Sequence, residues 1–387
     1  MSDGILVLNA GSSSIKFAIY TLDGTDPTLF IRGQVAGIGS SGWFSAKSAS
    51  NEPLASQDVI ARDHSQALGF LLDWLRDRMA NLRIVGAGHR VVHGGPDRAE
   101  PRLIDQDELA ALARLNPLAP HHQPHNLAAI KALAERDPGL KQVACFDTAF
   151  HARQDATTRR LPLPAEYEAR GLMRYGFHGS SYEYISAEVE ALERGVSKVL
   201  IAHLGNGGSL CAVKDGVSVA TTMGFSTLDG IMMGTRCGAL DPGVVLHLMH
   251  EFGMGEAELH DLFYNQSGLL GVSGISADMA QLLANDQAEA AKAIDLYCHS
   301  LIKNIGAMIA LLEGVDAIVF TGGIGENAAP IRARVCERLS WLGVRLQPEN
   351  NAANAQEITA PDSELPVWVI PTNEELVIAR HTANLII

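Results

Sequence analysis

The sequence predicts an α/β protein of two domains built to one plan, and three observations carry that expectation. The chain has 387 residues, more than one hydrophobic core usually serves. Two stretches share one grammar: ILVLNAGSSSIKFAIYTLDG from residue 5 and VLIAHLGNGGSLCAVKDG from residue 199. Each runs from an apolar strand through a turn of small residues into a second strand and closes on Asp-Gly, which reads as an internal duplication. Strand-like runs also alternate with helical ones, the pattern of α/β layers with binding loops at strand ends.

Element by element, residues 5–8 and 15–22 alternate about a Gly/Ser turn and predict a hairpin. A polar, Gly-rich piece follows to about residue 56 and receives no element. Helices are expected over 63–80, 105–115 and 124–136. IVGAGHRVVHGG (84–95) and QVACFDTAFH (142–151) read as short buried strands ending in polar loops. In the second half, DAIVFTGGIGEN (316–327) mirrors QVACFDTAFH, an apolar strand ending in a loop with an acid, and a helix is expected at 329–341. The apolar run 288–312 is broken by Lys292, Asp295, His299 and Lys303, so it reads as a buried helix and not a membrane span. The tail PVWVIPTNEELVIARHTANLII predicts a strand, a turn and a helix capped by Thr372 or Asn373, with Glu374 and Glu375 in its first turn.

Hydrophobic residues make up 47% and charged residues 19% of the chain, a globular balance that argues against disorder. The formal charge of −14 disfavours nucleic acid and anionic membrane as partners. An anionic substrate would need local cations. The five cysteines, at 145, 211, 237, 298 and 336, are odd in number and form no CxxC pair, which predicts a reduced, cytoplasmic chain without structural zinc. No charged-then-apolar leader precedes Gly4-Ile5-Leu6, so no signal peptide is expected.

Three turns suit a phosphate: residues 9–14, HLGNGGS (203–209) and TGGIGEN (321–327). Glycine and serine let backbone N–H groups approach closely, and hydroxyls add donors. None is a Walker A loop or a GxGxxG, so an ordinary hairpin turn stays open for each. Arg90 in GHRVVHGG and Arg236 in MMGTRCGALDPG stand in Gly-flanked loops, where a planar guanidinium fork suits carboxylate or phosphate. His93 and His178 share that setting, with structural roles as the alternative. HHQPH (His121, His122, His125) fits no zinc spacing, and Pro120 and Pro124 break any helix there. His247, His250 and Glu251 read as a solvated helix face. The GxSxG elbow of acyl-serine hydrolases is missing. Asp147, at the end of a buried strand, would suit Mg²⁺ with Asn9 and Glu374 nearby; a cap or turn is its alternative role.

These residues carry a resemblance. NAGSSSIKF, HRVVHGG, PLAPHHQPHN, FDTAFH, RYGFHGSS, HLGNGGS, MMGTRCGALDPG, GGIGEN and TNEEL occur in the order of the acetate kinase family. The resemblance covers essentially the whole chain. It implies two ribonuclease H-like, actin-like ATPase domains flanking a nucleotide cleft: 1–150 with 376–387, and 151–375. It also implies a homodimer, ATP or ADP as co-substrate, and Mg²⁺, or Mn²⁺ in its place, on Asn9 and Glu374. The catalytic positions would be Arg90, His122, Asp147, His178 and Arg236, with Val92 and Phe177 walling a small acyl pocket around acetate or acetyl phosphate. The nucleotide segments would be Ser12, Ser14 and Lys16; His203, Leu204, Gly205, Asn206 and Gly207; Asp278, Met279 and Ala280; and Gly323, Ile324, Gly325, Glu326 and Asn327. The chain departs from the pattern at Ala280, where Arg is common, at His121 for Leu, and at Thr227 for Pro. A propionate or butyrate kinase and a non-catalytic actin-like ATP-binding module remain the alternatives.

Overall fold

The computed structural model describes residues 2–78 and 81–387, and its chain divides into two compact units. One takes in the chain up to Ala152 together with Asn373–Ile387, and the other is Arg153–Thr372.

The first unit is built on an eight-stranded sheet. Its strands are β1 (Ser2–Ala10), β2 (Ser14–Thr21), β3 (Thr28–Ala36), β4 (Gly42–Ser48), β5 (Pro53–Val59), β6 (Leu82–Val91), β7 (Arg102–Leu103) and β8 (Lys141–Phe146), in the spatial order β5-β4-β3-β2-β1-β6-β8-β7. β1 through β5 run antiparallel to their neighbours, while β1, β6 and β8 are parallel. The run Ile5-Leu6-Val7-Leu8 is buried on both faces, which is why it lacks polar alternation. Leu6 and Leu8 pack with α1 (His64–Arg78) and α3 (Gln123–Arg136), and Ile5 and Val7 pack with Ile378 and Ala379 of the C-terminal helix, Glu374–Ile386. α2 is Gln106–Ala113, and the Asp105 side chain accepts from the Glu108 N–H at its start. The helix expected over 63–80 is α1; its last two expected positions lie outside the described residues.

The second unit has strands β9 (Lys198–Leu204), β10 (Gly208–Lys214), β11 (Val217–Thr221), β12 (Ala317–Thr321) and β13 (Val367–Val369), in the order β11-β10-β9-β12-β13. β9 and β10, like β10 and β11, are antiparallel, and β9, β12 and β13 are parallel. This repeats the arrangement β3-β2-β1-β6-β8 of the first unit, so the duplication read from the two hairpins is real. Helices α4 (Gly179–Ala191), α5 (Pro242–Glu251), α6 (Ala288–Leu311) and α7 (Gly322–Asn327) surround it. The expected buried helix 288–312 is α6, whose Ala293, Tyr297, Leu301 and Ile305 line the core.

Three expectations need correction. The stretch to residue 56 is not featureless: it holds β3, β4 and most of β5, which extend the sheet. The run 316–327 mirrors 84–95 and not 142–151, because β12, like β6, lies directly beside its unit's central strand. GGIGEN is not a loop but α7, and the helix after it, Ala329–Glu337, stops short of 341.

Candidate active site

In the first unit the candidate residues gather at the ends of β1, β6 and β8. Asn9 pairs with Lys16 across the β1–β2 hairpin, whose turn closes through the Gly11 N–H donating to the Ser14 carbonyl at 2.8 Å. Ser12 and Lys16 are exposed there, and Ser14 is half-buried. Arg90 leaves β6 with its fork spent on Asp147: Nε donates to Oδ1 at 2.8 Å and Nη2 to Oδ2 at 2.6 Å. Asp147 is 2% exposed, and Glu374 Oε2 lies 3.9 Å from Arg90 Nε. Glu374 stands in the first turn of the C-terminal helix, which Asn373 caps by accepting from the Leu376 N–H at 3.1 Å. Val92 is buried beside this group in sequence, and His122 is the residue that precedes α3.

The electrostatics follow from two buried acids facing one guanidinium. Burial alone would lower the Arg90 pKa, but Asp147 and Glu374 outweigh it and raise it. Burial, then the charges of Asp147 and Glu375, push the Glu374 carboxyl up to about 7, against the pull of Arg90 and Lys16. A cation placed beside Glu374 would favour its ionised form. The Glu374 carboxylate and the Asn9 carboxamide are hard oxygen donors of the kind Mg²⁺ takes while keeping most of its waters, so the residues present fit such an ion. Both Asp147 oxygens are occupied by Arg90.

In the second unit His178 precedes α4 in the left-handed conformation, φ +61°, which costs energy for a residue with a Cβ. Its Nδ1 lies 2.8 Å from Ser209 Oγ, which the Tyr182 hydroxyl reaches at 2.5 Å. Its ring stacks on His203 with centroids 4.4 Å apart, and His203 Nδ1 lies 2.8 Å from Ser181 Oγ. Phe177 is buried. His203 and Leu204 end β9, and the Gly205 N–H donates to the Gly207 carbonyl at 2.9 Å to close the turn through Asn206. Arg236 Nη1 donates to the Thr227 carbonyl at 3.0 Å. A Cβ on Gly207 would stand 3.4 Å from Arg236 Nη2, so the guanidinium lies against that turn. The structure thus brings His178, His203, the 205–207 turn and Arg236 together.

The other nucleotide candidates have local roles. Asp278 caps the helix Met279–Leu283 by accepting from the Gln281 N–H at 2.9 Å; Met279 is buried and Ala280 exposed. Gly323, Ile324, Gly325, Glu326 and Asn327 form α7, entered through Gly322 at φ +76°. Glu326 Oε1 accepts from the Gly322 N–H at 2.9 Å and the Thr372 N–H at 3.2 Å. Arg332, fully buried, donates to the Gly325 and Glu326 carbonyls at 2.8 and 3.0 Å. Sequence reasoning missed Ser181, Ser209, Tyr182 and Arg332. Two of them, Ser181 and Ser209, lay inside RYGFHGSS and HLGNGGS, but nothing in those segments marks which hydroxyl meets an imidazole.

A duplicated α/β unit with a small-residue hairpin between the first two strands of each copy defines a protein of the ribonuclease H-like, actin-like ATPase class. Within that class the chain belongs to the acetokinase family, whose model matches residues 4–380. It is 48% identical to an acetate kinase of Rhodopseudomonas palustris, over 100% of this chain and 99% of that one. Its fold is similar to the crystal structure of Porphyromonas gingivalis acetate kinase, with TM-score 0.90, 34% identity and 100% of both chains covered. It is also similar to a propionate kinase from Francisella tularensis, with TM-score 0.93, 35% identity and 99% of both chains covered. No helix among the described residues is long and apolar enough to cross a membrane.

Proposed function

We propose that this protein transfers the terminal phosphoryl group of ATP to the carboxylate of acetate, reversibly, giving ADP and acetyl phosphate by direct in-line attack. The observation that carries the reading is the Arg90 fork, fixed by the buried Asp147 along its Nε–Nη2 edge so that Nη1 points its donors elsewhere. Full-length similarity to acetate kinases supports it.

Acetate is ionised at neutral pH, since carboxyls titrate near about 4, so the nucleophile needs no general base. The difficulty is repulsion between a carboxylate and a polyphosphate, and neutralisation with alignment is the remedy. Arg90 binds the acyl carboxylate through Nη1, and Asp147 orients Arg90. Val92 and Phe177 are each assigned to recognition of the acyl group. Arg236 and His178 donate to the phosphoryl group in flight, and Ser209 orients the His178 ring. His122 is assigned to the same reacting group. Ser12, Ser14 and Lys16, with the 203–207, 278–280 and 323–327 segments, bind the nucleotide. Asn9 and Glu374 hold Mg²⁺ or Mn²⁺, which when bound supplies charge to the phosphates. The protein works in the cytoplasm as a homodimer, with no nucleic-acid or membrane partner.

A hydroxamate trap with Mg-ATP tests this across acetate, propionate and butyrate. Acetate is expected to give the highest kcat/KM, with propionate lower by a factor of about 10–200, because one methylene is worth about 1–3 kcal/mol. Preference for propionate would favour the second reading, which the similarity to the Francisella propionate kinase keeps alive. ATP hydrolysis indifferent to every short carboxylate would overturn both and leave an ATP-binding module.

A further inference from the structure

The β1–β6 ladder stops at Leu8–His89, although each strand runs further. β1 stays on β2 through Ala10–Ile15, and β6 stays on β8 through Val91–Phe146. A fork opens between the two strand ends, where main-chain polar groups must be satisfied by something other than the ladder. The Asn126 carboxamide, 3% exposed, stands in that fork. It accepts from the Val92 N–H at 3.0 Å and donates to the Ala10 carbonyl at 2.6 Å. Its orientation is forced, because an amide N–H only donates and a carbonyl only accepts. Gln123, one turn earlier on α3 and fully buried, spends both of its bonds on one residue. It accepts from the His93 N–H at 3.1 Å and donates to the His93 carbonyl at 3.0 Å. Of the two, Asn126 alone joins β1 to β6.

We propose that Asn126 is a positioning residue that sets the gap between the end of β1, which carries Asn9, and the end of β6, which carries Arg90 and Val92. It touches no substrate and acts through Ala10 and Val92. The inference rests on the phosphoryl-transfer reading above.

Gln123 supplies the control, since Asn126→Ala and Gln123→Ala each delete two buried main-chain hydrogen bonds from the same turn of α3. If both residues are merely structural, melting temperature and activity fall in parallel. The expected result is different. Asn126→Ala lowers kcat with acetate about 10²-fold, as misplacement near a reacting centre does, at a melting loss no larger than that of Gln123→Ala. It also shifts the butyrate-to-acetate ratio of kcat/KM by about tenfold, because Val92 is released. Asn126→Asp keeps the acceptor for Val92 but sets an oxygen against the Ala10 carbonyl, so kcat falls and the ratio holds. Equal kcat and unchanged ratios in the two alanine variants overturn the inference. Should the variants not fold, amide exchange in the native protein decides: a Val92 N–H exchanging as slowly as ladder amides is expected, and a fast one overturns it. Failure of the underlying reading is separately visible, as native enzyme without carboxylate-dependent turnover.

Discussion

Arg236 lies against Gly207 and donates to the Thr227 carbonyl, so a backbone without a side chain on one side and a carbonyl acceptor on the other help set its direction. An arginine held in this way meets developing charge without reorganising, which is where electrostatic catalysis gains most. Arg236→Ala is therefore expected to lower kcat by about 10²–10³, the scale of losing one preorganised donor, with circular dichroism and melting unchanged. A folded variant with near-normal turnover would remove Arg236 from the mechanism. Both arginines were legible in the sequence because each stood among glycines, and Asp147 because an acid ended an apolar strand. Ser209 was not legible. It sits in β10 fully buried, and nothing in a serine's spacing announces that its hydroxyl meets an imidazole.

The C-terminal helix reaches β6 only because Gly86 and Gly88 share one face of that strand. A Cβ at Gly88 would run into Thr382 Oγ1 and stand 2.6 Å from Ile378 Cγ2, and one at Gly86 would run into Ile386. The same helix carries Glu374, so packing at its far end bears on the carboxylate at its start. Gly88→Val should cost about 1–3 kcal/mol by overpacking and raise the Mg²⁺ concentration for half-maximal activity. Thermal melting and a Mg²⁺ titration read the two effects, and a variant normal in both would mean that the helix packs elsewhere. The sequence announced the last helix at its cap, where Asn373 accepts the bond expected of it. It hid β3 to β5, because strands exposed on one or both faces carry polar residues where a buried strand would carry apolar ones, as in PLASQDV of the edge strand β5. It also hid α7, where four of the six letters of GGIGEN favour turns. The helix is held from outside its own sequence by the Arg332 donors on the Gly325 and Glu326 carbonyls and by the Thr372 N–H on Glu326, and from within by Glu326 accepting from the Gly322 N–H.

At the scale of the whole chain, the duplication was legible in the two hairpins because their turns sit in equivalent places. The partner of 316–327 was misassigned because the acid after β8 matched the acid in GGIGEN, whereas strand order pairs β12 with β6. The proposed homodimer makes a demand on one element. α5 has no buried residue, yet Leu246, Met249 and Phe252 around it are 67%, 50% and 69% exposed, with Leu240 and Val244 at 42% and 40%. A helix whose apolar side is uncovered within its own chain is a surface that water disfavours and a partner relieves. The proposed partner is a second copy of the same chain, since a two-fold axis sets one such face against itself and needs no other complementary surface. Light scattering should then give the native protein twice the mass of one chain. Leu246→Asp combined with Phe252→Asp, both far from buried packing, should give a single-chain mass with an unchanged far-ultraviolet spectrum. A native protein of single-chain mass, or a double variant that keeps the doubled mass, would show that α5 does not hold two copies together.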